Sequence, residues 1–316
     1  EVHAKGGGPY YNAPMVRGDD IYFEPRYVTD AITDNALAFL ETTKGDERPF
    51  YLGVHYTAPH SPWQRDQHPQ EIFDSYRESC PFESVPDGLA PPEWAEYLSI
   101  PVKDAETRRT YLSGYYAAVT AMDSNVGRIV DWLRKRGELA NTLICFTSDN
   151  GMNMGHHGVY GKGNATFPMN MFEESVKVPF IMSWPGAIEA GSVCKELLSH
   201  YDFMPTLLDC AGVENPDAES LPGRSFAALL KGNTGTTRDH VVVYDEYGPV
   251  RMIRTLFWKY IHRYPYGPNE LYNLENDPRE ADNLIDDPAH ETTRASLKGR
   301  LEGWFVEYVD PALDGT

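Results

Sequence analysis

The residues best suited to chemistry lie around the sequence Ser-Asp-Asn-Gly at positions 148–151, directly after the apolar run 142–147. Asp149 and Asn150 can each offer an oxygen to a hard cation such as Ca²⁺. The tripeptide Asp-Asn-Gly is also an ordinary turn, and by itself a turn is the better interpretation. A metal site at Asp149 and Asn150 is therefore a hypothesis that needs support from neighbouring residues.

A glycine-rich segment at residues 155–164 holds two histidines and a lysine. So many glycines weaken a regular helix or strand, which favours a loop with close backbone approach. A flexible surface loop with solvated His157 and Lys162 is an equally good interpretation of this segment alone. His60, in the proline-rich segment 58–63, would in isolation be a surface or turn residue.

The predicted secondary structure places these residues at comparable positions. Apolar spacing predicts helices over 29–43, 112–133 and 202–210, and apolar runs predict strands over 50–56, 142–147 and 178–182. Gly137 is a natural end for the long helix, and the prolines between residues 58 and 103 predict a long loop. Alternating helices and apolar strands indicate a parallel sheet covered by helices. His60 and Asp149 each follow a predicted strand, where such sheets bind ligands.

The C-terminal quarter of the chain shows a different pattern. Short β-type runs at 241–244, 250–254 and 257–262 predict a small antiparallel sheet. A final helix from about residue 290 has one apolar face, formed by Leu297, Leu301, Trp304 and Tyr308. We therefore expect a catalytic domain over residues 1–235 and a small C-terminal subdomain over residues 236–316.

Composition narrows the range of functions. The chain has 316 residues, with 28 Lys and Arg against 47 Asp and Glu and a formal net charge of −19. Such a surface repels polyanions, so no nucleic-acid partner is expected. No apolar run approaches the ~20 residues of a membrane-spanning helix, so no membrane partner is expected either. The four cysteines show no C-x-x-C spacing and indicate neither a disulfide framework nor a zinc site.

The candidate residues combine into one hypothetical site. Asp149 and Asn150 would hold a cation, and Lys162 and His60 would contact anionic oxygens. A lysine beside a divalent cation suits a tetrahedral oxyanion that gains charge on its leaving oxygen. This combination points to hydrolysis of a sulfate or phosphate ester.

These motifs resemble those of the sulfatase family. The core of the resemblance is the series Ser-Asp-Asn-Gly, Gly-His-His-Gly, Gly-Lys-Gly, Phe-Glu-Glu-Ser-Val-Lys-Val-Pro-Phe and Trp-Pro-Gly, in that order within residues 147–186. Further similar segments are 48–62, 116–127, 201–208, 221–225 and 270–284. The resemblance covers nearly the whole chain, and the combination is far more specific than any single motif.

The resemblance implies a fold and a site. The fold would be alkaline-phosphatase-like α/β, with a mostly parallel sheet sandwiched by helices and a small C-terminal α+β subdomain that contains an antiparallel sheet. Asp149 and Asn150 would bind Ca²⁺ in part. His60 and Lys162 would contact the sulfate group, with Lys162 near the bridging oxygen.

Two further residues are candidates for substrate binding. His157 is placed where it would line the pocket. Trp63, beside His60, is a candidate to pack against a sugar ring, although a core or rim aromatic is the better interpretation.

In the sulfatase family the nucleophile is a hydrated formylglycine made from a Cys or Ser in a Cys/Ser-x-Pro/Ala-x-Arg motif. None of the four cysteines begins this motif, and we expect no serine to begin it. The family's first strand, with its paired Asp ligands, is also expected to be missing. We therefore expect a chain that begins partway into the fold, is inactive alone, and has the missing N-terminal segment as its partner.

The expected function is a sulfuric ester hydrolase that releases inorganic sulfate from a sulfated carbohydrate or another sulfate ester. One alternative is a phosphodiesterase or phosphonate monoester hydrolase of the same superfamily, although Asn150 is a poor ligand for transition metals. The other is a non-catalytic, degenerate sulfatase. The particular substrate is not readable, because specificity lies in variable loops.

Overall fold

The structure is a computed structural model, and it describes residues 2–3, 7–98, 100, 102–233, 238–245 and 248–315. Two compact units are evident: Glu1–Val85 with Pro101–Thr142, and Pro86–Ile100 with Leu143–Thr316. The expected domain boundary between residues 235 and 236 lies outside the described residues and stays a prediction. Within the described ranges, no helix combines the length and the apolar character that crossing a membrane requires.

The described residues of the first unit form three α-helices and a small antiparallel sheet. Its elements are β1 (Val2–His3), β2 (Ala13–Arg17), β3 (Asp20–Glu24), α1 (Val28–Thr42), α2 (Gln70–Ser79) and α3 (Ala105–Arg136). The helices α1 and α2 both pack against α3. Asp104 caps α3 by accepting the Thr107 N–H at 2.7 Å, and Gly137 ends it with a φ of 74°, as predicted.

Two expectations for this unit are wrong. Residues 50–56 pair with no other strand among the described residues, and an apolar run becomes a strand only where a neighbour completes its backbone hydrogen bonds. Residues 70–79 form α2 inside the stretch expected to be a loop. Phe73 is the one buried residue of α2, which leaves little apolar periodicity to detect.

Gly114 offers a test of the packing of α3. A Cβ added there would lie 2.0 Å from the Trp63 carbonyl oxygen, so Gly114→Ala is expected to lower the free energy of unfolding by about 2–3 kcal/mol through overpacking. Gly127 lies in the same helix with open space around it, and Gly127→Ala is expected to raise that free energy by about 0.5–1 kcal/mol. Urea denaturation of both variants measures the difference, and equal midpoints would contradict this packing.

The second unit contains the remaining described strands and helices. Those before residue 235 are β4 (Glu96–Tyr97), β5 (Ile144–Thr147), β6 (Asn153–Met154), β7 (Tyr160–Gly161), β8 (Thr166–Phe167), α4 (Glu173–Val176), β9 (Phe180–Ser183), α5 (Phe203–Ala211) and α6 (Ala227–Leu230). The predicted strands near 142–147 and 178–182 and the predicted helix near 202–210 are confirmed as β5, β9 and α5.

Strand direction differs from the expectation. Every ladder among the described residues is antiparallel, including the one between β5 and β9. A parallel pair needs a crossover that returns the chain to the starting end of the sheet. Here the chain stays at one end of the β5–β9 pair. The N–H of Gly151, shortly after β5, donates to the carbonyl of Ser175, shortly before β9, at 2.9 Å.

The C-terminal part forms the predicted antiparallel sheet and helix. Its elements are β10 (His240–Tyr244), β11 (Val250–Thr255), β12 (Trp258–Arg263), β13 (Glu270–Asn273) and α7 (Glu291–Tyr308). The strands follow the order β10-β11-β12-β13. Apolar residues of α7 cover one face of this sheet, and a second apolar cluster that includes Met171 covers the other. Both faces are buried, which explains the near-continuous burial along β11 and β12.

Candidate active site

The loop after β5 holds the first two candidate residues. Asp149 is exposed and Asn150 is half-buried. The backbone N–H of Asn150 donates to Asp149 Oδ1 at 2.9 Å, and the Ser148 hydroxyl donates to the Asn150 carbonyl at 2.8 Å. These short-range bonds fix the loop as a turn and set the carboxylate and the amide side by side.

Gly151 allows this loop to lie against the turn at α4. A Cβ at this position would lie 2.0 Å from the backbone oxygen of Glu174. No side chain larger than hydrogen fits that approach. The glycine of the Ser-Asp-Asn-Gly motif is therefore needed for packing, whatever chemistry its neighbours perform.

Lys162 follows β7 and reaches the same loop. Its Nζ donates to Asn150 Oδ1 at 3.2 Å. Asn150 and Lys162 are thus in contact within the second unit, and Asp149 is the sequence neighbour of Asn150. An ammonium has three donors, so this contact leaves Lys162 able to donate to an anion as well.

His157 has an unusual backbone and two firm partners. Its φ of 53° is left-handed, which is uncommon for residues other than glycine. The ring stacks on Phe172 with centroids 3.7 Å apart, and Nε2 lies 3.1 Å from Glu174 Oε2. Burial raises the pKa of Glu174, but the hydrogen bond from His157, a backbone hydrogen bond and the charges of His157 and His156 together leave that pKa lowered. The predicted substrate contact of His157 stays a prediction.

His157 also belongs to a group of possible metal ligands. Ligand atoms of His157, Glu174 and Glu280 lie within 4.8 Å of one another. Positive charge is already present there, because Lys259 Nζ lies 2.6 Å from Glu280 Oε1 and 2.8 Å from Glu173 Oε1. We assign no metal to this cluster, since Glu280 is already paired with the ammonium of Lys259 and Glu174 with the ring of His157.

His60 lies in the first unit, on an exposed loop. Its Nδ1 is 2.9 Å from the Ser61 carbonyl oxygen, which only accepts, so Nδ1 carries the hydrogen and the neutral ring keeps its lone pair at Nε2. Tyr10 donates its hydroxyl to the His60 carbonyl at 2.7 Å. A Cβ on Gly7 would come within 2.5 Å of the ring. The convergence of His60 with Asp149, Asn150 and Lys162 stays a prediction.

Trp63 supports the His60 loop from within the core. It is 2% exposed, its indole N–H donates to the Pro59 carbonyl at 2.8 Å, and its ring meets Tyr111 and Tyr115 edge-on. The predicted sugar contact of Trp63 is contradicted by this burial. The alternative, a core aromatic, describes the residue.

His68 is a functional neighbour that the sequence did not reveal. It is 1% exposed, and its Nε2 lies 3.0 Å from the Pro62 carbonyl, so Nε2 donates and Nδ1 accepts from the Tyr27 hydroxyl at 3.3 Å. Burial lowers the pKa of His68 from 6.5 to about 4. The neutral ring therefore holds the backbone two residues beyond His60.

This pKa predicts a loss of stability in acid. The unfolded chain takes up the His68 proton first as the pH falls, because its pKa is the higher one, so stability decreases from pH 6.5 towards pH 4 and is unaffected above pH 7. Between pH 7 and pH 5 the expected loss is about 2 kcal/mol. His68→Gln can donate to Pro62 and accept from Tyr27 without titrating, so its urea midpoint is expected to change less over this range. An equal pH dependence in both proteins would contradict the assignment.

One sequence expectation about the nucleophile is wrong. A Ser-x-Pro-x-Arg pattern does occur, at residues 220–224. The Ser220 hydroxyl donates to the Asp217 carbonyl at 3.1 Å, and the Arg224 N–H donates to Asp202 Oδ1 at 2.9 Å. None of the described contacts of Ser220 involves Asp149, Asn150 or Lys162. We therefore do not assign Ser220 as the nucleophile of the candidate site.

Comparison with known proteins identifies the class. The sulfatase family profile matches residues 5–213, and a profile described as N-sulphoglucosamine sulphohydrolase, C-terminal, matches residues 155–306. The chain belongs to the sulfatase family, whose members generally use a metal ion. The expected family and the α/β, alkaline-phosphatase-like fold class are confirmed.

Individual relatives are similar over almost the whole chain. An N-acetylglucosamine-6-O-sulfatase of Bacteroides thetaiotaomicron is 28% identical, with 96% of this chain and 66% of that protein covered. An arylsulfatase of Clostridium perfringens is 30% identical, with 92% and 61% covered. A solved structure of a protein in complex with its substrate D-glucosamine-2-N,6-O-disulfate superposes with a TM-score of 0.82 at 27% identity and covers 97% of this chain and 75% of that one. The chain thus spans about two thirds of the length of the curated relatives it matches.

Proposed function

We propose that the protein to which this chain belongs is a sulfuric ester hydrolase that releases inorganic sulfate from a sulfated carbohydrate. The observation that carries the proposal is the contact of Lys162 with Asn150, beside Asp149, in a member of the sulfatase family. A cation site and an ammonium side by side suit an ester whose leaving oxygen gains negative charge. The same contact would suit a phosphonate ester, so the match to the sulfatase profile is what favours a sulfate ester over a phosphonate monoester.

Lys162 has the clearest proposed role. Its ammonium would donate to the bridging oxygen and stabilise the charge that develops as the S–O bond breaks. Its existing hydrogen bond to Asn150 holds the side chain towards the proposed cation site before a substrate arrives. This preorganisation avoids a reorganisation cost in the transition state.

His60 would bind a non-bridging sulfate oxygen. Its Nδ1 hydrogen is already donated to Ser61, so only Nε2 remains for a ligand. A sulfate oxygen accepts hydrogen bonds, and Nε2 can donate only when the ring is protonated.

Asp149 and Asn150 fit a Ca²⁺ site in chemistry. Both present oxygen donors on one loop, and Ca²⁺ takes six to eight oxygens, so these two would supply part of the set. A bound cation would neutralise charge on the sulfate oxygens. The nucleophile is proposed to be the family's formylglycine, from a residue other than those assigned here.

The comparisons favour an amino sugar sulfate as the first substrate to test. One relative carries the name N-acetylglucosamine-6-O-sulfatase, and the similar solved complex contains a disulfated glucosamine. We therefore propose a glucosamine 6-sulfate as a better substrate than simple aryl sulfates.

The test uses the full-length protein with its formylglycine verified by mass spectrometry. Inorganic sulfate is measured after incubation with N-acetylglucosamine 6-sulfate, glucosamine 2-N-sulfate and 4-nitrophenyl sulfate, and released 4-nitrophenol is measured for the control ester 4-nitrophenyl phenylphosphonate. Release of sulfate, lost on chelation and restored by Ca²⁺, is the expected result. Faster cleavage of the phosphonate with Zn²⁺ or Mn²⁺, or no hydrolysis of any ester, would rule the proposal out.

A further inference from the structure

Ser175 connects two buried asparagines beneath the glycine-rich loop. Its hydroxyl accepts from Asn153 Nδ2 at 2.7 Å and donates to Asn170 Oδ1 at 2.6 Å. Asn153 and Asn170 are fully buried, and Ser175 is 4% exposed. A hydroxyl can accept and donate at once, so Ser175 Oγ joins the two amides directly.

The NH₂ groups of both amides hold the backbone at Lys162. Asn153 Nδ2 also donates to the Gly161 carbonyl at 3.0 Å. Asn170 Nδ2 donates to the Lys162 carbonyl at 3.2 Å. Carbonyl oxygens only accept, so both amides must turn their NH₂ groups towards the loop, and the two peptide units that flank the Lys162 Cα are held from one side.

The second asparagine is itself anchored by the C-terminal sheet. Lys259 donates to the Met171 carbonyl at 3.0 Å, and Arg263 donates to the Met169 carbonyl at 3.1 Å. Both cationic side chains are nearly or completely buried. The carbonyls on either side of Asn170 are therefore fixed, which gives the hydrogen-bond chain to Lys162 a rigid base.

We propose that Ser175 is a positioning residue for Lys162, acting through Asn153 and Asn170; this inference rests on the proposed role of Lys162 in sulfate ester hydrolysis. Ser175→Ala would remove both bonds of the hydroxyl and leave two buried amides with unmet hydrogen-bonding groups. The amides would then be released from each other, and the Lys162 backbone would shift. A displacement of about 1 Å in a reacting group can cost roughly 100-fold in rate.

Kinetics of the full-length protein give the first test. Ser175→Ala is expected to lower kcat for 4-nitrophenyl sulfate about 10- to 100-fold and to change KM by less than about threefold, because Lys162 acts on the leaving oxygen. In a Lys162→Ala background the same substitution is expected to cause no further loss, since residues that act as a unit are not additive. Ser113→Ala is the matched control, because Ser113 is also buried and its described side-chain hydrogen bond goes to Arg109 in its own helix, so kcat should not change.

A spectroscopic measurement tests the positioning role of Ser175 separately from the proposed hydrolysis of sulfate esters. Reductive ¹³C-methylation gives one resonance per lysine, and Lys162→Arg identifies that of Lys162. Ser175→Ala is expected to move this resonance, and Ser113→Ala is expected to leave it in place. If Ser175→Ala does not fold, Ser175→Cys, which keeps a weak donor, is measured with a smaller expected loss of about 3- to 10-fold in kcat.

The outcomes are distinct. A wild-type protein that hydrolyses no ester, with a Lys162 resonance that still moves in Ser175→Ala, would remove the proposed function and leave the positioning role. Normal kcat in Ser175→Ala together with an unmoved resonance would overturn the positioning role. A further loss of kcat in the Lys162→Ala background would also overturn it, because the effect would then not pass through Lys162.

Discussion

Lys162→Ala is expected to lower kcat/KM for sulfate ester hydrolysis by about 10²- to 10³-fold, with folding unchanged. The ammonium is the one cationic side chain that contacts Asn150 among the described contacts of that residue. Removing a preorganised donor from the site of developing charge costs roughly 2.7–4 kcal/mol of transition-state stabilisation. Because the side chain is half-buried on a loop, its loss should change the urea midpoint little.

Lys195→Ala is the matched control for this experiment. Lys195 is an exposed lysine of the same unit, and its removal alters the net charge of the chain by the same amount. Its kcat/KM should stay within about twofold of wild type, since the charge of an exposed side chain is screened by salt. A loss below tenfold in Lys162→Ala, or an equal loss in Lys195→Ala, would contradict the role given to Lys162.

The sequence could predict which residues of the candidate site lie near one another, because these residues are close together along the chain. Asp149 and Asn150 are adjacent, and Lys162 follows on a glycine-rich loop short enough to return to them. The helix α3 was predictable for a similar reason, since its apolar stripe and Gly137 are continuous in sequence. Features of this kind depend on residues that are close together along the chain.

The supporting residues were not predictable, because their contacts join distant parts of the chain. Asn153, Asn170 and Ser175 are polar residues with no periodicity, and only folding shows that they meet. His68 reads as one more histidine in a proline-rich segment until its burial is known. The antiparallel pairing of β5 and β9 is of the same kind, since an apolar run does not encode the direction of its neighbour.

Trp63 is a residue for which closeness in sequence to a candidate residue led to a wrong prediction. Its place beside His60 suggested a substrate contact, yet the same adjacency serves packing, because its indole N–H holds the Pro59 carbonyl. Proximity in sequence to a candidate residue therefore does not distinguish a ligand contact from a support. Burial is the observation that separates them.

The largest effect on stability is expected for Lys259→Met. Lys259 is fully buried on β12, and its ammonium contacts the Met171 carbonyl and the carboxylates of Glu173 and Glu280. Methionine preserves most of the volume and removes the charge. Breaking a buried ion pair from one side costs about 3–5 kcal/mol, because the remaining charge is left uncompensated.

Two controls test that the cost comes from the unpaired carboxylate. Lys298→Met removes a partly exposed lysine that lies 3.5 Å from Glu302 on α7, and its expected cost is below about 1 kcal/mol. The double variant Lys259→Met with Glu280→Gln removes the buried carboxylate as well, so it is expected to be more stable than Lys259→Met alone. A double variant that is less stable than the single one would assign the cost to lost packing.

The pH dependence of the stability of Lys259→Met tests directly whether Glu280 is the carboxylate left unpaired. Burial already raises the pKa of Glu280 above its ordinary value, against the opposing charge of Lys259. Without Lys259 that pKa rises further, so folded Lys259→Met takes up a proton at a higher pH than its unfolded chain does. Its stability deficit relative to wild type should therefore shrink as the pH falls from 7 to 5 in urea denaturation. A constant deficit over this range would show that Glu280 is not the group left uncompensated.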